Sequence, residues 1–399
     1  FSLDNTRHTL SDEPGQDAQE STALGIEWQR EQEMLMLDIA LTAAATNTRY
    51  GFDEDWSYVG IAPGWEYSST DLYRRDRDSY SATARVLSSE QSRLFDESTD
   101  WLAGVYYLGN REQLDRRYTY LENNFRSNYD TDTLALFGQL ESALTDRLSL
   151  ISGLRVERRY TDYRDNNGVD SDPDKDLWGG RLALEYQLDD ARMVYAEISR
   201  GYRANGVNAT ILASMEITED PAEIEQLAGL QDFDAEYLVN YELGLKGKFL
   251  QDTLRTRLAV FYMDRSDQQV RGSLTIERDD GSTAFIDYTS NAAEGKNYGA
   301  ELELDWLATD NLVLYANLGL LAAEFDQHID ADGNDLAGRE QAQAPSYQYA
   351  IGGRVDLGAG FYLRADLEGR DNYYFSDRHD VKSPSYDLLN MRLGYTTGN

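Results

Sequence analysis

The side chains that most often carry out enzyme chemistry are scarce or scattered in this sequence. It contains no cysteine and only three histidines, His8, His328 and His379. Cysteine nucleophiles, disulfide frameworks and clustered Cys/His metal sites are therefore excluded. The signatures of serine hydrolases, zinc proteases, P-loop NTPases and dinucleotide-binding folds are absent, and the carboxylates are too numerous to single out a general acid and a general base. The sequence predicts neither an enzyme nor a resident cofactor.

One acidic segment has part of the spacing of a calcium-binding loop. Asp330, Asp332 and Asn334 stand at the first, third and fifth positions of such a loop. Asp335 occupies the position that requires glycine, and Gln341 replaces the bidentate glutamate. We therefore expect no metal site and interpret these carboxylates as part of a solvated loop.

The chain is strongly acidic, with 72 Asp and Glu against 37 Lys and Arg and a formal net charge of −35. A negative field of this size repels nucleic-acid phosphates, so nucleic acid is not an expected partner. The segments 50–72, 160–176, 203–235 and 325–345 together supply −19 of this charge. We interpret them as hydrated surface loops.

Residues of alternating polarity recur along most of the chain and predict β-strands. Between Tyr298 and Trp306, apolar residues alternate with glycine and acidic residues, and the same period of two occurs in 237–246 and 361–368. No segment approaches the roughly 18 uncharged apolar residues of a membrane helix, whereas a transmembrane β-strand needs only about 9 to 11 residues of alternating polarity. About fifteen such segments favour an all-β fold, a transmembrane antiparallel β-barrel.

Short polar turns alternate with long loops between these segments. The short turns lie near 30–34, 144–147, 188–191, 249–253, 307–311 and 357–360, and the long loops near 50–72, 160–176, 203–235, 271–287, 325–345 and 373–385. Outer-membrane barrels have short periplasmic turns and longer extracellular loops, so we predict that the long loops are extracellular. Within 203–235, Asp220 followed by Pro221 predicts the N-terminus of a short helix that continues to Leu230.

Several short motifs follow one another along nearly the whole chain. They are W-L-A-G-V-Y-Y at 101–107, F-G-Q at 137–139, I-S-G-L-R at 151–155, V-Y-A-E-I-S-R-G-Y-R-A-N-G-V-N at 194–208, N-Y-E-L-G-L-K at 240–246, F-Y at 261–262, Q-V at 269–270, N-A-A at 291–293, G-A-E-L-E at 299–303, A-P at 344–345 and N-M-R-L-G-Y at 390–395. In order and spacing this series resembles the barrel domain of TonB-dependent outer-membrane receptors.

The resemblance implies a 22-stranded barrel in the bacterial outer membrane, closed by an N-terminal plug and energised by TonB. Residues 1–399 would then form a partial barrel domain, with the plug, the TonB box and the final strands outside this sequence. The expected function is active uptake of a scarce ligand, an iron–siderophore or similar chelate. The expected partners are TonB, that small ligand, and the lipid and lipopolysaccharide of the outer membrane.

Three other functions remain to be compared with this one. A passive porin would share the alternation of polarity but would lack a plug and energy coupling. A TonB-dependent importer of glycans would share the whole architecture. A soluble acidic β-protein such as a propeller ranks last, because we find no repeat of about 40 residues.

The resemblance directs the search for ligand contacts to aromatic and basic residues at the extracellular ends of strands and in the loops. Aromatic faces stack on planar or sugar-like ligands, and arginine pairs with anionic chelates. The predicted contacts are Trp56, Tyr58, Trp65, Tyr67, Tyr118, Tyr120, Tyr160, Tyr163, Arg164, Tyr202, Arg203, Tyr373 and Tyr374.

Some of the motif residues have a structural explanation that we favour over ligand binding. Tyr195 and Tyr202 fit the aromatic girdle at the membrane interface. The motif glycines, Gly201, Gly206, Gly244 and Gly299, are interpreted as positions where strands bend or pack closely.

Overall fold

Long antiparallel strands make up most of this protein in its computed structural model. The structure describes residues 10–64, 68–119, 121, 123–212, 214, 220–277, 283–330, 333–377 and 379–397, with residues 277 and 283–285 described by their backbone alone. In chain order the strands are β1 (Gln16–Glu31), β2 (Leu35–Asp53), β3 (Thr70–Ser88), β4 (Thr99–Tyr118), β5 (Phe125–Thr145), β6 (Leu148–Asp165), β7 (Asp170–Ser171), β8 (Lys175–Asp189), β9 (Arg192–Arg203), β10 (Gly206–Val207), β11 (Asp232–Phe233), β12 (Glu236–Phe249), β13 (Leu254–Glu277), β14 (Thr283–Thr309), β15 (Leu312–His328), β16 (Tyr347–Gly358), β17 (Phe361–Arg370), β18 (Tyr373–Tyr374), β19 (Lys382–Ser383) and β20 (Tyr386–Tyr395). The helices are a 3₁₀-helix at Glu90–Ser92, α1 (Ala209–Leu212) and α2 (Pro221–Ala228).

Each long strand is hydrogen-bonded to the next long strand along the chain. The main sheet has the order β1-β2-β3-β4-β5-β6-β8-β9-β12-β13-β14-β15-β16-β17-β20, with β7 added beside β6. All of these pairs are antiparallel. The fifteen strands along this path confirm the antiparallel architecture that the sequence predicts.

The two ends of the sheet differ in the length of their connections. At the short-turn end, six of the hairpins are closed by two to four residues. At the opposite, long-loop end, the connections include 54–69, 204–235, 329–346 and 371–385. The sequence overestimated some loops, because most of 271–287 belongs to β13 and β14, which extend beyond their neighbours.

One face of the sheet carries a band of exposed apolar side chains. Tyr241 and Leu243 on β12 are at least half exposed, and they lie opposite Tyr262 and Val260 on β13, which are exposed as well. The row of tyrosines continues to Tyr298 on β14, with ring centres 6.4–6.5 Å apart from strand to strand. An exposed apolar band bordered by aromatic residues is typical of the surface with which a β-barrel meets lipid. We call this the outer face.

The opposite, inner face is polar and is crossed by ion pairs and tyrosine hydrogen bonds. Arg257 on β13 donates a 2.6 Å hydrogen bond to Glu303 on β14, and the Tyr195 hydroxyl donates one of 2.6 Å to Glu242. A Cβ atom at Gly244 would overlap the Tyr195 ring, so glycine is required beneath it. The expected packing role of Gly244 is thus confirmed, whereas placing Tyr195 in the outer girdle was wrong.

The loop 204–235 folds back onto the long-loop end of the sheet. Ile211 of α1 and Leu227 of α2 are fully buried in an apolar cluster with Leu274, Ile276 and Ile286 of the β13–β14 hairpin. This packing explains why the hairpin extends so far, since its apolar side chains are covered by the loop instead of by lipid.

Helix α2 begins where the sequence predicts and ends two residues earlier. The Asp220 carboxylate accepts a 2.8 Å hydrogen bond from the Ala222 amide, and Pro221 is the first helical residue. The Gly229 amide closes the helix by donating to the Glu225 carbonyl. Among the described residues, no helix is long and apolar enough to cross a membrane.

Candidate ligand-binding site

Tyrosines and arginines meet on the inner face of β2, β3 and β4 at the long-loop end. We call this group the aromatic–arginine cluster; it comprises Tyr50, Asp71, Tyr73, Arg75, Arg77, Glu112, Arg116 and Tyr118. Strand register positions it, because Tyr73 on β3 lies opposite Tyr50 on β2 and opposite Arg116 on β4. Successive side chains of a strand point to opposite faces, so these residues face away from Tyr80 and the apolar band.

Arg116 and Asp71 form the buried half of the cluster. The Arg116 Nε and Nη2 atoms donate hydrogen bonds of 2.9 and 2.8 Å to the two Asp71 carboxylate oxygens. The Tyr73 hydroxyl donates to the same carboxylate at 2.7 Å. The guanidinium carbon lies 5.2 Å from the centre of the Tyr73 ring and 4.7 Å from that of Tyr118. These contacts hold both rings in fixed positions on the wall.

Arg75 and Arg77 form the exposed half of the cluster and share one carboxylate. Arg75 Nε and Arg77 Nε each lie 2.9 Å from a Glu112 oxygen. Their side chains are 44% and 53% exposed, whereas that of Glu112 is 18% exposed. Two guanidinium groups thus share a single carboxylate as their direct acidic partner. Beside them Tyr50 is 46% exposed, with its ring centre 6.2 Å from that of Tyr73.

Tyr73 and Arg116 lie beyond the apolar band. Their surroundings keep the Tyr73 hydroxyl protonated and the Arg116 guanidinium charged. Burial raises the pKa of Tyr73, and the Asp71 carboxylate raises it further. Burial by itself would lower the pKa of Arg116, but its hydrogen bonds to Asp71 raise it above the ordinary value. Tyr73 is therefore a hydrogen-bond donor at neutral pH, and Arg116 is a permanent cation.

Three of the contacts predicted from sequence lie in or next to this cluster. Tyr118 is a member of it, and its hydroxyl donates a 3.1 Å hydrogen bond to Glu54. Glu54 also accepts a 2.7 Å hydrogen bond from Ser69, so both ends of the loop 54–69 are tied to the cluster. Trp56 and Tyr58 are exposed within that loop.

Tyr163 lies on the inner face but is completely buried. It packs against Val207 and Leu212 from the loop 204–235, and its ring centre is 6.3 Å from that of Tyr129. Its hydroxyl donates a 3.0 Å hydrogen bond to Asp165. Burial raises the pKa of Tyr163, and the Asp165 carboxylate raises it further. In this structure a ligand has no access to the ring.

Tyr160 and Arg164 lie on the outer side of β6. They share the face of the exposed Val156, and the Arg158 guanidinium carbon lies 5.2 Å from the Tyr160 ring centre. Arg164 forms an ion pair of 3.1 Å with Asp162. The structure does not bring either residue near the aromatic–arginine cluster, and a ligand contact for them stays a prediction.

Tyr202 points inward and contacts a different part of the inner wall. Its hydroxyl donates a 3.0 Å hydrogen bond to Glu157 and accepts one of 3.3 Å from Arg155 Nε. Arg155 and Glu157 alternate with outward-facing residues of β6, so the girdle position favoured for Tyr202 from sequence was wrong. Arg203 is exposed at the end of β9.

Tyr374 joins two of the long loops. The Arg339 guanidinium carbon, from the loop 329–346, lies 4.2 Å from its ring centre. The Lys382 Nζ atom, from the loop 371–385, lies 4.0 Å from the same centre. We call these three residues the Tyr374 clamp, and its contacts suit loop–loop packing.

Four predicted contacts remain, and the structure describes only one of them, Tyr373. Tyr373 lies under Arg370, whose guanidinium carbon is 4.6 Å from the ring centre. Trp65, Tyr67 and Tyr120 lie outside the described residues. Their role as ligand contacts stays a prediction.

The exposed residues of the cluster were not found from the sequence. The sequence pattern predicts a loop at Tyr50 and does not place Arg75 and Arg77 on the inner face. The alternation of Tyr73, Arg75 and Arg77 on the face opposite Tyr80 was the signal that would have identified them.

The described part of the chain contains no group of three or more His, Asp or Glu side chains arranged to hold a metal ion. Asp332 lies outside the described residues. The Asp330 carboxylate accepts a 2.8 Å hydrogen bond from the Asn334 amide, which is typical of a turn.

A continuous antiparallel sheet with an apolar outer face, an ionic inner face and loops of unequal length at its two ends defines a transmembrane β-barrel of the outer-membrane type. Residues 2–399 match the family model described as TonB dependent receptor-like, beta-barrel. The chain belongs to this family, whose barrels lie in the bacterial outer membrane.

Known relatives are similar in sequence or fold. The ferric-pyoverdine BN7/BN8 receptor of Pseudomonas putida is 27% identical over 282 residues, which are 68% of this chain and 30% of that receptor. The ferric yersiniabactin uptake receptor FyuA of Yersinia pestis matches with a TM-score of 0.68 and 20% identity, over 94% of this chain and 53% of FyuA. The copper transporter OprC matches with a TM-score of 0.70 and 14% identity, over 96% of this chain and 58% of OprC. The chain thus spans little more than half of these solved structures.

Proposed function

We propose that the whole protein takes up a ferric siderophore, or a similar anionic metal chelate, across the outer membrane with energy supplied through TonB. The observation that carries the substrate class is the pair Arg75 and Arg77 on the single carboxylate of Glu112. Two exposed arginines that share one acidic partner are notable in a chain of net charge −35. The similarity to a ferric-pyoverdine receptor supports the same class of substrate.

The chemistry of the cluster suits a chelate with carboxylate, phenolate or hydroxamate oxygens. The two guanidinium groups donate several hydrogen bonds to such oxygens, and the exposed Tyr50 ring offers a face for an aromatic or planar part of the ligand. The buried pair of Arg116 and Asp71 holds the neighbouring rings in place. Iron is part of the proposed substrate here.

The proposed orientation places the long-loop end outside the cell and the short-turn end in the periplasm. Lipid and lipopolysaccharide would surround the outer face. Residues 1–399 would form part of the barrel domain, and a plug domain together with further strands would complete the transporter and contact TonB. Family membership and the span of this chain relative to solved family members support this arrangement.

The test uses the full-length protein with Arg75→Gln and Arg77→Gln combined. The matched control is Arg181→Gln, which removes an inner-face arginine that has its own partner, Glu197, at 3.0 Å. We expect the double variant to bind ferric pyoverdine or ferric citrate about tenfold more weakly, and the control to stay within about twofold of the unaltered protein. Binding is measured on whole cells with radioactive iron.

Energy coupling is tested by the same assay in cells without TonB. These cells should bind the chelate and fail to accumulate it. Undiminished accumulation that rises linearly with concentration would support a passive porin instead. Tight binding of a neutral oligosaccharide, unaffected by the arginine substitutions, would support a glycan importer.

A further inference from the structure

A cleft of about 580 Å³ lies at the long-loop end between β2, β3, β4 and β5. Its lining includes Arg49, Arg74, Arg117 and Arg126 together with Asp76 and Asp115. We call the space lined by these charged residues the outer arginine cleft. It shares Tyr73 with the aromatic–arginine cluster, but none of its four arginines belongs to that cluster.

Strand alternation places the outer arginine cleft on the outer face. Arg74 shares the face of Tyr80 on β3, and Arg117 shares the face of Tyr107 on β4. The rings of Tyr80 and Tyr107 lie 6.1 Å apart and border the apolar band. Arg74 lies six positions before Tyr80 on β3. At about 3.3 Å per residue and a strand tilt of about 40°, this interval puts the arginine roughly 15 Å beyond the band. This is the level of headgroup sugars, not of acyl chains.

The charges within the cleft are unbalanced. Arg117 and Arg126 lie 3.6 and 3.1 Å from the one carboxylate of Asp115. Arg74 lies 3.5 Å from Asp76, which also accepts a hydrogen bond from Asn47. With Arg49 in the lining, four guanidinium groups face two carboxylates. The side chains of Arg74, Arg117 and Arg126 are 60–69% exposed, so they are free to bind a further anion.

We propose that the outer arginine cleft binds the phosphorylated sugar headgroup of an outer-leaflet glycolipid, that is, lipopolysaccharide. Guanidinium groups are well suited to phosphate, because they donate paired hydrogen bonds in a planar arrangement. A ligand on the outer face comes from the surrounding membrane, not from the lumen, and the cleft is large enough for more than one phosphate. The inference rests on the proposed orientation, with the long loops outside the cell.

A double substitution tests the cleft directly. Arg117→Gln and Arg126→Gln are combined in the full-length protein, which is reconstituted into phosphatidylcholine nanodiscs. The matched control combines Arg158→Gln and Arg164→Gln, which also lie on the outer face at the long-loop end. There each arginine has two aspartate partners: Asp174 and Asp176 for Arg158, and Asp162 and Asp170 for Arg164. The probes are purified fluorescent lipopolysaccharide with its core phosphates and the same material after dephosphorylation.

We expect the cleft variant to bind phosphorylated lipopolysaccharide about tenfold more weakly and the control variant to change less than about twofold. The unaltered protein should bind the dephosphorylated probe about tenfold more weakly than the phosphorylated one. Equal losses in the two variants, or equal binding of the two probes, would overturn the proposal. Complete displacement by millimolar inorganic phosphate would also overturn it, by showing a site for a free anion.

The folding of each variant is checked by the mobility of the unheated barrel in gel electrophoresis. This binding assay involves neither an iron chelate nor TonB. A loss of chelate uptake with normal lipopolysaccharide binding would therefore count against the proposed function alone, and the reverse result would count against the outer arginine cleft alone.

Discussion

Arg116 and Asp71 face each other across β3 and β4 through two hydrogen bonds of 2.8–2.9 Å, with both side chains nearly buried. Removing the charge of Asp71 leaves a buried guanidinium without its partner, so Asp71→Asn should lower the free energy of unfolding by about 3–5 kcal/mol. Urea-induced unfolding in detergent measures this change. The control is Asp162→Asn, which breaks the exposed pair with Arg164 and should cost less than about 1 kcal/mol. Similar values for the two variants would contradict a buried structural pair.

Membrane orientation can be determined from the accessibility of single introduced cysteines, since residues 1–399 contain none. Cysteines at Asp170 or Gly333, in connections at the long-loop end, should react on intact cells with a thiol reagent that cannot cross the membrane. Cysteines at Asp146 or Asp310, in short turns, should react only after the cells are opened. The reverse pattern would refute the orientation.

The two faces of β14 should respond differently to the same new charge. Leu302 belongs to the outer face and lies opposite Leu258 and Leu318 on the neighbouring strands. Leu302→Arg should destabilise the barrel by about 2–4 kcal/mol if the residue lies near the midplane of the bilayer. Glu301→Arg, one residue away on the inner face, should be tolerated far better. Assembly in lipid vesicles followed by gel mobility measures both, and equal defects would disprove the assignment of faces.

The loop after β2 should lose local stability as the pH rises, because of Asp55. Burial, followed by the neighbouring Asp53, raises the pKa of Asp55 above its usual 3.8. The folded loop therefore binds this proton more tightly than the unfolded chain does. The resulting stabilisation is fully present below about pH 3.8 and is lost as the pH rises through the raised pKa.

Asp55→Asn removes this dependence, so the variant loop should be the more stable one at pH 7 and should match the unaltered loop near pH 3. Hydrogen exchange of the Ser57 amide, which donates a 3.1 Å hydrogen bond to Asp55, reports local opening. Because exchange chemistry itself depends on pH, protection factors are compared instead of raw rates. A difference of the same size at both pH values would exclude titration of Asp55 as the cause.

Tyr50 and Tyr163 should differ in their importance for ligand binding. The Tyr50 ring is exposed on the same face as Arg75 and Arg77 and lies next to Tyr73, and its replacement by alanine should weaken ferric-chelate binding by about 0.5–1.5 kcal/mol. Tyr163 is covered by the loop 204–235, so Tyr163→Phe should leave the affinity unchanged. A weaker affinity for Tyr163→Phe, with Tyr50→Ala unaffected, would shift the site away from the aromatic–arginine cluster.

The strands and their order could be predicted because a membrane barrel imposes a simple pattern on its sequence. Wherever lipid covers one face, polarity must alternate, and each strand pairs with its neighbour through a short turn. The pattern weakens beyond the apolar band, where no lipid demands it. Leu274 and Ile276, for instance, lie in a strand that the sequence assigned to a loop, because they are covered by α1 and α2.

The ligand site was harder to predict because it depends on register and on distant packing. Arg116 on β4 reaches the Tyr73 ring on β3, and Tyr50 on β2 lies beside that ring, only because the three strands align at these positions. Tyr163 stands at the expected end of its strand, yet Leu212, 49 positions later in the sequence, covers it. Neither the strand register nor this distant packing produces a periodic pattern in the sequence.

The Tyr374 clamp has a consequence for protein engineering. Because Arg339 of the loop 329–346 packs on the Tyr374 ring of the loop 371–385, the two loops share this stabilising contact, which Lys382 supports from within the second loop. Lys382 and Tyr374 belong to the same loop, so transplanting either loop alone into another barrel would separate Arg339 from the Tyr374 ring and leave both of these groups in water. The two loops are therefore a single exchangeable module, and sequence changes in one are expected to require compensating changes in the other.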